Sequence, residues 1–177
     1  MDRVVRSVAL RSVSWTLLSC LMLLAQVQGA AVQQAQDSPW SGCPSGSVYY
    51  SSYCYTFFPR GKTWMDAYFD CSRRPAGHLV TVHSGHEGSL VSFLIKSTTN
   101  SYSHVWIGLH DPTEGTRPNG GGWQWSNGDI LRYSSWERFP PTSSSSYCGS
   151  VSRTSDFKKW RDINCETALP YVCKFKN

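Results

Sequence analysis

The residues of this chain best equipped for recognition chemistry crowd into a short stretch, EGTRPNGGGW, running from Glu114 to Trp123. A carboxylate such as that of Glu114 accepts hydrogen bonds and, when ionised, donates none. Arg117 is donor-only and always charged, while the Asn119 amide both donates and accepts. Pro118 fixes a turn, and the glycines that follow let the backbone come close to a partner. Just downstream stand Tyr133 and Trp136, whose aromatic faces match the apolar C–H face of a pyranose ring. These groups hold and orient a ligand by charge, hydrogen bonds and stacking. None is set up as a nucleophile, and no G-x-S-x-G motif occurs anywhere. An enzyme is not expected.

Metal chemistry is equally unsupported. His78, His83 and His86 are close in sequence, but His83 and His86 straddle a helix start, where surface histidines are ordinary. His110 ends a strand beside Asp111, and its candidate neighbours across the loops, Gln124 and Tyr147, are poor zinc ligands. The cysteines contain no C-x-x-C pair, so a zinc–thiolate site is not expected either. No metal or other cofactor is assigned.

The elements that must carry these groups follow from the rest of the chain. Arg3, Arg6 and Arg11 precede an eleven-residue apolar run, Trp15 to Ala25, and then Val27 and Gly29. That is the layout of a secretory signal peptide cleaved after Gly29, since a bilayer span needs about 20 apolar residues. The remaining 148 residues fit one domain, with 14 basic and 11 acidic side chains and a net charge of +3. No dense Lys/Arg block is present, which argues against nucleic acid and leaves anionic surfaces open. Of seven cysteines, Cys20 leaves with the signal. The other six imply three disulfides, for which about 15 pairings exist. Cys43 and Cys54 flank a Tyr-rich, hairpin-like stretch, and Cys148 and Cys165 flank a second such segment. Local bridges there would leave Cys71 and Cys173 to close most of the domain.

Residues 30–42 read as a flexible arm, and Ser47 to Phe58 as strands rich in aromatic residues. Trp64, Ala67, Tyr68 and Cys71 fall on one helical face, with Thr63 as N-cap and Pro75 and Gly77 as terminators. A second helix starts at Ser84 and Glu87, which have capping-box spacing. It carries a stripe of Glu87, Leu90, Val91 and Leu94, of which the last three can bury it. His104 to Asp111 alternates like a strand. Residues 122–136 look like two strands around an Asn127–Gly128 turn, and 156–165 and 169–175 finish as strands. The expected class is α+β, with two helices packed on antiparallel sheets. Trp106, Trp123, Trp125 and Trp160 are expected in the core.

In order and spacing, VWIGL (Val105–Leu109), WQWSNGD (Trp123–Asp129) and YCGSV…WRDINC…YVCKF resemble a C-type lectin-like domain over Cys43 to Lys174. WIGLHDPTEGT, SWERFP and LPYVCKFKN are similar to the secreted Reg (regenerating islet-derived) family, in its type III, pancreatitis-associated branch. The resemblance implies a single domain over 43–177 with bridges Cys43–Cys54, Cys71–Cys173 and Cys148–Cys165. It implies an antimicrobial, acute-phase protein of gut or pancreas that binds peptidoglycan, other glycans or anionic envelope lipids without calcium. The alternative it carries is a growth or anti-inflammatory signal acting on an epithelial receptor, and self-association is open. The candidate ligand-binding residues are therefore Glu114, Arg117, Pro118, Asn119, Tyr133 and Trp136.

Three departures matter. The branch carries Glu-Pro-Asn where this chain has Arg117, Pro118 and Asn119, so charge and hydrogen-bond sense are reversed at the first position. Calcium-dependent relatives add an asparagine and an aspartate after a tryptophan, where this chain has Trp160, Arg161 and Asp162. Arginines at 117 and 161 offer no oxygen to an ion that wants about six to eight. Family members are also activated by tryptic removal of an acidic arm. Here no Lys or Arg occurs between Ala30 and Pro59, so that route is not expected.

Overall fold

A computed structural model describes residues 42–98, 101–114, 116, 122–138 and 146–177. The signal-peptide and arm expectations for residues 1–41 lie outside that range.

The described residues open with a hairpin, β1 (Ser47–Tyr50) and β2 (Tyr53–Lys62), in which Tyr50 pairs with Tyr53. Its two-residue turn places Ser51 at φ 50° and Ser52 at φ 68°. Both are left-handed positions, where serine pays a steric penalty that Asn-Gly largely avoids. The double substitution Ser51→Asn/Ser52→Gly is expected to raise stability by about 1 kcal/mol. A urea titration checks this through a higher midpoint at unchanged slope.

Helix α1 (Trp64–Ser72) starts at Thr63, whose Oγ1 accepts from the Asp66 N–H at 3.2 Å, and buries Trp64, Ala67 and Cys71 as its spacing requires. A short β3 (His78–Leu79) leads to helix α2 (Gly85–Thr98). Then come β4 (His104–His110), β5 (Gln124–Trp125), β6 (Cys148–Ser152), β7 (Trp160–Ile163) and β8 (Leu169–Phe175). The sheet runs β1-β2-β8-β4-β6-β7, with β3 also on β8 and β5 on β4. The helices are interleaved with strands rather than preceding them. The sheet is mixed, because β4 and β8 pair in parallel at Trp106 and Tyr171. β4 is central and buried along Val105–Leu109 on both faces, so its expected alternation is not seen.

The hairpin expected around Asn127–Gly128 does not form. Only Gln124 and Trp125 pair, and they pair with His110 and Leu109 of β4. The turn itself exists, with Gly128 at φ 84° and its N–H on the Trp125 carbonyl at 3.0 Å. The chain beyond it goes elsewhere: the Trp160 N–H donates to Ser135 O at 2.8 Å, and the Glu137 N–H to Trp160 O at 3.0 Å. Tertiary pairing thus overrides a strong local hairpin signal. Likewise only Trp160–Ile163 of the 156–165 segment is strand; Arg153–Ser155 ahead of it is a 3₁₀ turn closed by Asp156 at φ 58°.

Three disulfides lock the sheet to its surroundings: Cys43–Cys54, Cys71–Cys173 and Cys148–Cys165. The second joins α1 to β8 across 102 residues of sequence. Beneath α2 lies a polar cluster inside the core. Glu87 and Lys174 are only 5% and 8% exposed. Lys174 Nζ donates to Glu87 Oε1 at 2.8 Å and to Thr81 Oγ1 at 3.2 Å, and the Tyr55 hydroxyl donates to Glu87 Oε1 at 2.7 Å. The Ser84 hydroxyl accepts from the Glu87 N–H at 3.2 Å, as a capping box requires. The Glu87 carboxylate, however, reaches one residue further back and takes the His83 N–H at 2.8 Å. Near the domain's entry, Gly42 at φ 57° lies against the Asn177 side chain, so closely that a Cβ would fall 2.1 Å from Asn177 Nδ2.

Candidate ligand-binding site

The loop after β4 is built up from its foot. The Asp111 N–H donates to the Tyr147 carbonyl at 2.8 Å, which ties the end of β4 to the segment entering β6. Asp111 is 2% exposed, and its Oδ1 accepts from the Thr113 N–H at 2.9 Å and from Thr113 Oγ1 at 2.6 Å. That carboxylate closes the Asp111–Pro112–Thr113 corner as a side-chain mimic of a turn. Glu114 follows at φ 50°, exposed, with its N–H on Asp111 O at 3.2 Å. Arg117, Pro118 and Asn119 lie outside the described residues.

The loop returns at Gly122. An added Cβ there would sit 2.0 Å from Asp111 Oδ1 and 2.5 Å from Thr113 Oγ1. The close approach that the glycine run suggests is, at this position, an approach to the loop's own foot. Outgoing and returning chain thus come into close contact at one buried carboxylate.

Next to the foot, His110 lies opposite Gln124 and Cys148 in the sheet and stacks on Trp64, with centroids 4.7 Å apart. Burial pushes its pKa below the ordinary histidine value, so it enters the site as a neutral spacer. Among the described residues, no three His, Cys, Asp or Glu side chains converge on a point where a metal could sit.

The returning chain rests on an aromatic wall. Trp125 and Trp160 are each 1% exposed and meet edge to face at 5.4 Å, and Trp136 packs on Trp160 at 5.6 Å and on Trp123 at 4.8 Å. Trp136 is buried and Trp123 half-buried, so the two exchange the exposures assigned to them from the sequence. Of the two aromatics put forward for stacking, Tyr133 keeps open surface while it packs edge-on against Trp160 at 5.8 Å. Trp136 serves as the wall behind it.

Two features of this region have weak sequence signals. The first is a clasp: His83 Nε2 lies 2.9 Å from Asp129 Oδ2, which also takes the Asn127 Nδ2 donor at 2.7 Å. Hydrogen bonding to Asn127, reinforced by His83, holds the Asp129 carboxyl below the usual range. The clasp ties the start of α2 to the turn, and the Asn-Gly-Asp order is its only local trace. The second is the 160–162 segment. Arg161 Nε lies 3.5 Å from Glu137 Oε2, while Asp162 Oδ2 is buried and has no hydrogen-bond partner among the described residues. An oxygen in that state is costly unless something reaches it.

The Lectin C-type domain model matches residues 60–175. Over 170 residues, 96% of this chain and 97% of the relative, the sequence is 55% identical to regenerating islet-derived protein 3-gamma of Homo sapiens. Lithostathine of Bos taurus is 54% identical over 170 residues, again 96% and 97% of the two chains. Among solved structures, human lithostathine superposes with a TM-score of 0.69 at 42% identity, covering 76% of this chain and 100% of that one.

Proposed function

The chain belongs to the regenerating islet-derived (Reg) family of C-type lectin-like proteins, and from that premise we propose a secreted, non-enzymatic binder of bacterial-surface glycans that works without calcium. In this reading residues 1–29 are a cleaved signal, 30–42 an arm and 43–177 the binding domain. The observation that carries it is the meeting of Asp111 and Gly122 at the foot of the 111–122 loop, and the sequence between them supplies Arg117 and Asn119. Arg117 favours phosphate- or carboxylate-bearing targets over neutral sugars, because a guanidinium pairs with such anions through two parallel hydrogen bonds. Calcium independence is supported by Arg161, which offers no oxygen and is turned to Glu137.

The test compares wild type with Arg117→Glu in pull-downs on peptidoglycan and on lipopolysaccharide. Arg117→Glu is expected to strengthen peptidoglycan retention and to weaken lipopolysaccharide retention by about tenfold. EDTA should leave both wild-type values unchanged. Weaker peptidoglycan binding by the variant refutes the assignment, and loss of binding in EDTA refutes the calcium-free part.

The same charge reversal favours one second reading, a signal to an epithelial receptor in which the sugar loop is vestigial. Soluble glycan competes with target binding in the first case and not in the second.

A further inference from the structure

A second concave region stands apart from the loop. It is a cleft of 780 Å³ whose walls include Arg60, Lys62, Asp66, Phe69, Arg73 and Ala168. None of these residues lies between 111 and 136. Its origin is a break in the sheet: the pairing of β2 with β8 slips between Phe58 and Lys62. Such a bulge bends a strand and re-aims its side chains. Gly61 then runs close over the turn before β8, where a Cβ would be 3.1 Å from Ala168 O. The facing wall is one side of α1, since Asp66, Phe69 and Arg73 stand at i, i+3 and i+7.

The lining is basic and partly apolar. Lys62 is engaged by Asp70 at 3.2 Å. Arg73 lies 3.8 Å from the same carboxylate, with 79% of its side chain exposed. Arg60 is exposed and has no ion pair among the described residues. In the same lining Phe69 presents 55% of its surface, steadied by an edge contact with Tyr68 at 5.5 Å. An open phenyl ring lining one cleft with the exposed Arg60 and the largely exposed Arg73 has a specific complement. The ring takes the C–H face of a pyranose, and each guanidinium takes two oxygens of a tetrahedral oxyanion. The cleft volume falls within the range of small-molecule sites, about 300–1,000 Å³.

We propose that this cleft is a second saccharide site, selective for sulfated sugars and independent of the long loop. A lipid bilayer is a poorer fit. Asp66 in its wall repels an anionic surface, and only Met65 and Phe69 are large exposed hydrophobics on α1.

The experiment titrates the full secreted chain with a sulfated hexasaccharide and with its desulfated counterpart, at low and at physiological salt. Wild type should bind the sulfated form only, and less tightly as salt rises. Arg60→Gln/Arg73→Gln, which alters two exposed side chains, should weaken binding by about tenfold, and Phe69→Ala by about threefold. The loss should be the same when the double arginine substitution is made in wild type and in an Arg117→Glu background, which separates this site from the loop. Equal binding of both sugars overturns the proposal. So do full affinity in the double arginine variant, disappearance of its effect in the Arg117→Glu background, and wild-type binding to anionic vesicles in preference to the sugar. A vesicle preference would reassign the cleft to a lipid headgroup.

Discussion

Lys174→Met is expected to destabilise the domain by about 3–5 kcal/mol at neutral pH, the largest effect of any single substitution considered, because it strands Glu87 as a buried charge without its cation. Burial by itself raises the Glu87 carboxyl. The hydrogen bonds from Lys174, Tyr55 and the His83 N–H outweigh it, and the net pKa lies below the ordinary glutamate value. A group depressed in this way contributes stability above its unfolded pKa, about 4.3, and loses it as pH falls through the folded value. The wild type should therefore weaken in acid below that range.

The variant should show the opposite relation. Without the ammonium, the upward push of burial dominates, so protonating Glu87 relieves the lesion. The gap between wild type and Lys174→Met should narrow as pH falls from 7 toward 4. Urea unfolding at several pH values measures it. A gap below about 1 kcal/mol at pH 7, or one that widens in acid, would show that the pair is not an isolated buried charge unit. The double variant Glu87→Gln/Lys174→Met should recover most of the loss. It removes both charges and leaves Tyr55 a carbonyl to donate to.

Gly122→Ala is the substitution expected to reach the ligand loop without touching its tip. A methyl group 2.0 Å from Asp111 Oδ1 cannot be accommodated. Either the carboxylate gives up Thr113 or the returning chain moves. Overpacking of this kind costs about 1–3 kcal/mol, and the freed aspartate is otherwise buried. Thermal unfolding should report that loss, and hydrogen exchange should report faster exchange at the Thr113 amide. If the proposed function is correct, glycan retention should fall in the same variant, since the foot that joins Asp111 to Gly122 would be disturbed. Undiminished Thr113 protection would mean that the loop foot is not clamped through this contact.

The parts of the fold that could be read from the sequence are those fixed by near neighbours. Trp64, Ala67 and Cys71 show the buried face of α1 because helical spacing alone decides it, and Thr63 marks its start. The first hairpin was legible from its aromatic strands and its flanking cysteines. What was hidden depends on distant partners. Nothing near Glu87 reveals that it is buried, because the cation that makes this tolerable stands 87 residues away. The Asn127–Gly128 turn was visible, but the destination of the following chain was set by Trp160. At the candidate site, the sequence pointed to the loop and its aromatic company. Whether Trp123 or Trp136 faces outward depends on how three indoles pack together. The role of Asp111 was concealed for a similar reason, since its second contact is a glycine at the far end of the loop.

The contact of Gly42 with Asn177 brings the domain's point of entry beside its point of exit. In topological terms the domain is nearly a ring, so a short linker from 177 to 42 would close it with little rearrangement. Cargo fused after Asn177 would therefore leave the domain beside residue 42.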